Sequence, residues 1–103
     1  MDRRIDLDDL LKTIADANGG HVYYQPPSTV RMTYPAIRYE RSRINTRYAD
    51  NAPYRNRIGY QITVIDRDPD SQITAEIMKL PLCSYNRHYY ADNLNHDVFI
   101  IYY

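Results

Sequence analysis

An α+β fold is the class that this sequence predicts: an antiparallel or mixed β-sheet of about five strands with two helices packed on it, in the order α-β-β-β-α-β-β. Two stretches carry apolar residues at helical spacing, near residues 5–14 and 73–80. Apolar and polar residues alternate in the stretches between them, and two further strand-like stretches close the chain. The chain has 103 residues and 44% of them are hydrophobic, so we expect a single folded domain over residues 1–103.

The first predicted helix is followed by a short strand. Asp6 is a candidate N-cap, and Asn18-Gly19-Gly20 is a strong helix stop because glycine readily adopts the left-handed conformation. A strand is expected over residues 21–25, ended by Pro26-Pro27. The apolar side of the helix is formed by Ile5, Leu7, Leu10, Leu11 and Ile14.

Two strands with one buried face are predicted next. Pro35 introduces a strand that begins near Ala36, and the third strand covers residues 57–66. Their alternation places one set of side chains in the core. That set is Ile37 and Tyr39 in the first strand and Ile58, Tyr60, Ile62 and Val64 in the second, and we also expect Tyr23 in the core.

Residues 41–56 connect these strands and are polar and arginine-rich, which predicts a long protruding β-hairpin arm. Because the arm contains few apolar residues, it cannot be stable as an isolated hairpin, and we expect another polypeptide to cover it. Arginine and tyrosine are enriched at protein interfaces. The candidate interface residues are Arg41, Arg43, Arg47, Tyr48, Tyr54, Arg55, Arg57 and Tyr103.

The remainder predicts a helix and two strands. Asp68 is a candidate N-cap with Pro69 at the first helical position, and Pro81 ends the helix. Its apolar stripe is Ile73, Ile77, Met78 and Leu80. Strands are expected near residues 83–90 and 97–102, joined by a turn at residues 92–95. The apolar run at residues 98–101 is typical of a central strand covered on both faces.

Charge is balanced overall but not along the chain. Thirteen basic and thirteen acidic residues argue against nucleic acid as the main partner. Residues 31–57 contain seven arginines and two acids, a net +5, whereas residues 66–76 carry net −3 and residues 1–16 net −2. Such segments are either ordinary solvated faces or complementary patches through which copies stack.

No pattern predicts catalysis, a cofactor or a metal. His21, His88 and His96 occur singly, without metal-ligand spacing. Cys83 is a possible nucleophile, although a lone strand cysteine is more often a small buried hydrophobe. The acids at positions 66, 68 and 70 resemble the start of a calcium loop that lacks the turn glycine and the closing glutamate.

Because the sequence contains a single cysteine, it cannot form an internal disulfide, which indicates a reducing compartment. We expect neither a membrane-spanning segment nor a signal peptide, since no sufficiently long apolar run is present.

Several segments carry a family resemblance that extends over nearly the whole chain. The sequence resembles tail-completion (tail terminator) proteins of long-tailed, siphovirus-like bacteriophages. The segments are residues 22–27 (VYYQPP), 32–40 (MTYPAIRYE), 48–51 (YADN), 53–55 (PYR), 60–66 (YQITVID), 68–71 (DPDS), 83–85 (CSY) and 91–96 (ADNLNH).

The resemblance implies a structural virion protein without cofactors. Such proteins form a ring, usually of six subunits, on the head-proximal end of the tail tube. The ring ends tube polymerisation and joins the tail to the filled head. The implied partners are further copies of the chain, the tail tube protein and the head-tail connector or stopper protein. DNA would pass through the ring without direct binding, and the protein would reside in the virion neck after synthesis in the host bacterial cytoplasm.

Three alternatives remain open from the sequence. Another neck component, such as a head-completion or connector stopper protein, shares every compositional argument. A small nucleic-acid-binding module would use the arginine-rich arm, with affinity that falls steeply with salt. A small Cys83-dependent hydrolase is the third, and a Cys83→Ser activity comparison would identify it.

Overall fold

The computed structural model describes residues 4–42 and 58–103. They form two helices and five strands in the predicted order, which confirms the α+β class. Of the predicted arm, only Arg41 and Ser42 lie among the described residues. In chain order the elements are α1 (Arg4–Ala17), β1 (His21–Tyr24), β2 (Ala36–Arg41), β3 (Gly59–Asp66), α2 (Gln72–Ile77), β4 (Cys83–Ala91) and β5 (Leu94–Tyr102).

The five strands form one mixed sheet in the order β1-β2-β3-β5-β4. β1 runs parallel to β2, and the other neighbouring pairs are antiparallel. β5 therefore lies inside the sheet, as predicted, and β4 and β1 form its two edges. The pairing is set by apolar cross-strand partners such as Tyr39 with Ile62 and Ile62 with Phe99.

The core lies between the two helices and one face of the sheet. Leu7 and Leu11 of α1 and Ile73 and Ile77 of α2 are all buried there. Each such side chain contributes about 1.5–3 kcal/mol relative to an exposed one. Ile5 and Met78 were predicted on these apolar stripes but are exposed. On the sheet side the core contains Ile37, Tyr39, Tyr60, Ile62, Val64, Phe99 and Ile101.

The opposite face of the sheet belongs to the alternate residues of each strand. Ile65 and Val98 are buried on this face, although they lie outside the helix-side core cluster. Tyr23 was predicted in the core, and that prediction is wrong. The parallel pairing of β1 puts Val22 and Tyr24 on the helix side. Tyr23 is half-buried instead, and its hydroxyl accepts a hydrogen bond from the backbone N–H of Thr33 at 3.0 Å.

Both predicted N-caps are wrong, because α1 begins earlier and α2 later than the sequence indicated. α1 begins at Arg4, so Asp6 lies within its first turn, where a carboxylate suits the helix dipole. α2 begins after Ser71 rather than after Asp68. The Oδ1 atom of Asp68 accepts the backbone N–H of Asp70 at 2.9 Å, which stabilises a turn ahead of the helix.

Two turns are fixed by left-handed residues. Gly19 has φ = +71° and ends α1, and Gly20 N donates to the Ala15 carbonyl at 2.7 Å, as in a Schellman cap. Asp92 and Asn93 have φ values of +54° and +64° and form the two-residue hairpin between β4 and β5. Because this turn needs only two residues, β5 begins three residues before the predicted start at position 97.

Candidate interface at the sheet edge

Strand β4 is the most exposed element among the described residues. It forms one edge of the sheet, and seven consecutive residues, from Ser84 to Tyr90, are exposed. An edge strand presents unpaired N–H and C=O groups to any other chain that can pair with it. Natural proteins commonly protect such edges with charged side chains, proline or β-bulges. β4 contains no lysine or proline, but it carries Arg87 and a register shift between Tyr85 and Arg87.

The hydrogen-bond register fixes which backbone groups of β4 point outward. Tyr102 N donates to the Leu82 carbonyl at 3.1 Å, so alternate residues of β5 from Tyr102 onward bond toward β4. The residues of β5 opposite His88 and Tyr90 bond to β3 instead. The N–H and C=O groups of His88 and Tyr90 therefore point away from the sheet and are available to a further strand.

A β-bulge divides this edge. The pairing with β5 shifts register between Tyr85 and Arg87, so Asn86 is the extra residue. A bulge increases the local twist and interrupts a continuous hydrogen-bonding edge. The stretch from Arg87 to Ala91 is therefore the longest regular segment that another strand could use.

Aromatic side chains flank the edge on both faces of the sheet. Tyr90 is 63% exposed, Tyr85 46% and Tyr89 39%. The Tyr89 ring stacks on His96 with centroids 4.5 Å apart, and the guanidinium of Arg87 lies 5.5 Å from the Tyr89 centroid. Exposed tyrosine beside arginine is the composition that protein interfaces favour.

Tyr85 is held in position by the core side of the sheet. Its ring packs edge-on against Phe99 with centroids 5.3 Å apart, and its hydroxyl donates to Asp97 Oδ1 at 3.1 Å. Burial, followed by the hydrogen bond to Asp97, raises the pKa of Tyr85 above its ordinary value. The exposed part of Tyr85 is therefore held in one orientation by these two contacts, which lowers the entropic cost of binding a partner.

Of the predicted interface residues, the structure describes two. Arg41 is exposed at the end of β2, and its backbone N–H donates to Gln25 Oε1 at 3.3 Å. Tyr103 packs partly buried against the core, and its N–H donates to the Ile58 carbonyl at 3.0 Å. Both lie at the end of the sheet where β3 begins. The other six lie outside the described residues: Arg43, Arg47, Tyr48, Tyr54, Arg55 and Arg57.

Tyr85, Tyr89 and Tyr90 are not among the interface residues predicted from the sequence. A usable signal was present, since residues 84–90 form a predicted strand with no aliphatic side chain at all. A strand that buries neither face is typical of a sheet edge.

Cys83 lies at the start of β4 and is half-buried. Burial raises its pKa to about 11, so the thiol remains protonated near neutral pH and is a poor nucleophile. Cys83 lies opposite Ile101, whereas His88 lies five residues further along β4 and His96 lies opposite Tyr89. At about 3.3 Å per residue, both histidines are too far along the sheet to act on the sulfur. Within residues 4–42 and 58–103, no three His, Cys, Asp or Glu side chains converge on a metal site.

Comparison with known proteins adds no identification. No family model, no curated protein and no solved structure matches this chain. Neither described helix is long and apolar enough to cross a bilayer.

Proposed function

We propose that this protein is a structural assembly subunit whose copies associate through the β4 edge into a closed ring, acting as the tail terminator of a long-tailed bacteriophage. The exposed strand from Ser84 to Tyr90 is the observation that supports self-assembly most strongly. The sequence resemblance described above supports the phage role.

Backbone pairing alone is too weak to hold such a ring. The outward N–H and C=O groups of His88 and Tyr90 offer four hydrogen bonds at about 1 kcal/mol each. Association costs about 4–15 kcal/mol in lost translational and rotational freedom. The exposed rings of Tyr85, Tyr89 and Tyr90 must therefore supply the remainder through buried apolar area.

The charge distribution provides complementary segments for a contact between copies of the chain. Residues 31–57 carry net +5 and residues 66–76 carry net −3, in a chain whose charges balance overall. Two different, complementary surfaces make a head-to-tail contact, and a head-to-tail contact closes into a ring when its rotation permits. A two-fold dimer could use the same complementarity, because each positive patch there meets the partner's negative patch across the axis, so the ring itself rests on the sequence resemblance.

Assembly through the edge is tested with a pair of lysine substitutions. Tyr90→Lys introduces a charge at the outward edge of β4, and Ile5→Lys makes the same change at a 67% exposed position on α1. Sedimentation velocity should show that Tyr90→Lys is monomeric at concentrations where the wild type and Ile5→Lys are oligomeric. If both variants assemble equally well, β4 is not part of the interface between subunits.

The terminator role needs a separate experiment because another neck protein would assemble by the same physics. Purified protein is added to polymerising tail tube subunits, and tube lengths are measured by electron microscopy. A terminator shortens the tubes and caps one end, and Tyr90→Lys should lose this activity. Unchanged tube lengths with binding to connector particles would identify a stopper protein instead.

The salt dependence of DNA binding distinguishes the nucleic-acid-binding alternative from the terminator and the stopper protein. A module that contacts several phosphates loses affinity steeply as salt rises. Filter binding to double-stranded DNA at low salt should show no tight complex, since the chain has no net positive charge. A tight complex that dissociates steeply with salt would favour that alternative over the ring.

A further inference from the structure

The second edge of the sheet is formed by β1, at the opposite end from β4. The backbone N–H groups of His21 and Gln25 donate to carbonyls in and just before β2, at 3.1 and 2.9 Å, so alternate residues of β1 bond to β2. The N–H and C=O groups of the residues between them, Val22 and Tyr24, therefore point away from the sheet. In the part of the chain that the structure describes, no backbone–backbone hydrogen bond occupies these outward groups.

The two edges have matching backbone patterns. β4 offers the outward groups of His88 and Tyr90, and β1 offers those of Val22 and Tyr24, in each case two residues separated by one. Within the sheet β4 runs antiparallel to β1, because the strand direction reverses at every neighbouring pair except β1 with β2. A second copy placed beside β4 with its helices on the same face would thus present β1 antiparallel to β4, which is the more stable type of ladder.

One register uses every outward group of both edges. It pairs His88 with Tyr24 of the second copy and Tyr90 with Val22 of the second copy, and each pair exchanges two hydrogen bonds. A shift by two residues in either direction would retain only one of the two pairs. The number of unpaired backbone groups therefore selects a single register between the edges.

In that register the exposed rings of β4 meet side chains of β1 on both faces. Tyr90 is 63% exposed and lies on the same face of the sheet as Phe99, which is the helix side. It would therefore cover Val22, which packs against the core from that side. On the opposite face Tyr89 would lie directly across from Tyr23, and cross-strand aromatic pairs stabilise a sheet.

The two edges also differ in charge. β4 contains Arg87 and no acidic residue. α1 packs beside β1 and contains four aspartates, one arginine and one lysine. Opposite charges on two surfaces favour their encounter, whereas two copies of β4 would bring like charges together.

We propose that the β1 edge receives β4 of the next copy, so that the sheets of neighbouring subunits join edge to edge. This inference rests on the proposed assembly through β4 and supplies the other half of that contact. Because β1 and β4 are different surfaces, a chain of copies keeps one free edge of each kind until it closes. Pairing of β4 with β4 about a two-fold axis would instead stop at a dimer.

Two complementary blocked variants test the pairing. Val22→Pro removes an outward N–H of β1 and leaves the hydrogen bonds to β2 in place, and Tyr90→Lys blocks β4. We expect each variant alone to be monomeric in sedimentation velocity. An equimolar mixture should form a one-to-one heterodimer that grows no further, because only one open β4 and one open β1 can meet. Val22→Ala is the matched control, since it shortens the side chain but keeps the N–H, and it should still assemble.

The outcomes separate this inference from the proposed function. If folded Val22→Pro forms the same oligomer as the wild type, or if the mixture yields no heterodimer, β1 is not the receiving edge, although assembly through β4 stands. If Tyr90→Lys assembles as the wild type does, or if the wild type is itself monomeric, the proposed function and this inference both fail. Circular dichroism establishes that each variant is folded.

Disulfide cross-linking tests the register without a proline. In a Cys83→Ser background, Tyr23→Cys and Tyr89→Cys would form a non-hydrogen-bonded pair with Cα atoms about 4.5 Å apart, which suits a disulfide. Oxidation should link copies that carry both cysteines into a covalent ladder, whereas a mixture of the two single-cysteine variants should give dimers only. Dimers of the Tyr89→Cys variant alone would indicate β4–β4 pairing, and they would overturn the proposal, as would a complete absence of cross-links.

Discussion

The contact between Tyr39 and Asp8 joins α1 to the sheet, and Tyr39→Phe tests how much it contributes. The Tyr39 hydroxyl donates to Asp8 Oδ1 at 2.5 Å and accepts from Arg4 Nη1 at 3.4 Å. Lys12 Nζ lies 2.7 Å from the other carboxylate oxygen of Asp8. The substitution removes one oxygen atom and leaves the buried ring in place, so its effect reports mainly on the hydrogen bond.

The expected loss of unfolding free energy in Tyr39→Phe follows from the burial of Tyr39 and the charge on Asp8. Tyr39 is 0% exposed, and a hydrogen bond to a charged group contributes about 1.5–3 kcal/mol. Asp8 keeps its bond to Lys12 in the variant, so we expect the lower part of that range, about 1.5–2 kcal/mol. With a urea m-value of about 1–3 kcal/mol/M, the unfolding midpoint should fall by roughly 0.5–2 M.

The pH dependence provides a second check. Burial raises the pKa of Asp8, but the hydrogen bonds from Lys12 and Tyr39 and the nearby positive charges outweigh it, so the pKa lies below its ordinary 3.8. A carboxyl whose folded-state pKa is depressed stabilises the fold above its unfolded value and loses that contribution as pH falls through the folded value. The difference between wild type and Tyr39→Phe should therefore shrink on acidification below about pH 4.

Urea unfolding followed by circular dichroism measures both effects. Tyr23→Phe is the matched control, because that hydroxyl only accepts a neutral backbone N–H, from Thr33, and the loss should be at most about 1 kcal/mol. Equal midpoints for wild type and Tyr39→Phe at pH 7, or a difference that grows on acidification, would refute the reasoning.

Three further predictions concern other parts of the molecule. Gly20→Ala should lower the free energy of unfolding by about 1–3 kcal/mol in thermal or urea melts, because a Cβ there would lie 3.1 Å from two neighbouring atoms. Cys83 should react with iodoacetamide at pH 8 roughly tenfold more slowly in the native than in the unfolded protein, because its pKa rises from 9.0 to about 11 and the smaller thiolate fraction is only partly offset by the greater nucleophilicity of that thiolate; equal rates would contradict this. Asp97→Ala should cost about 1–3 kcal/mol, since it leaves the hydroxyls of Thr74 and Tyr85 without their acceptor at 3.1 Å; an unchanged urea midpoint would count against this network.

Local patterns were sufficient to predict the element order. The alternation through Tyr60, Ile62 and Val64 identified a half-buried strand, because side chains two residues apart share a face of any sheet. Helix starts were less predictable. A carboxylate such as Asp68 can cap a helix or close a turn, and the choice depends on which nearby N–H groups are already bonded.

The candidate interface was harder to predict because it depends on strand order. The absence of aliphatic side chains from residues 84–90 indicates an edge strand, but which strand β4 pairs with, and which of its backbone groups point outward, are decided when β5 pairs with β3 over eight residues of the sheet. The outward N–H groups of His88 and Tyr90 exist only because of that pairing.

Electron microscopy of the purified wild-type protein, with native mass spectrometry of the same sample, tests the central claim most directly. The account predicts rings of uniform diameter and a single oligomeric mass that does not grow with concentration, because a closed head-to-tail contact leaves no free surface. Monomers alone at the highest attainable concentration, or open filaments of variable length, would contradict it.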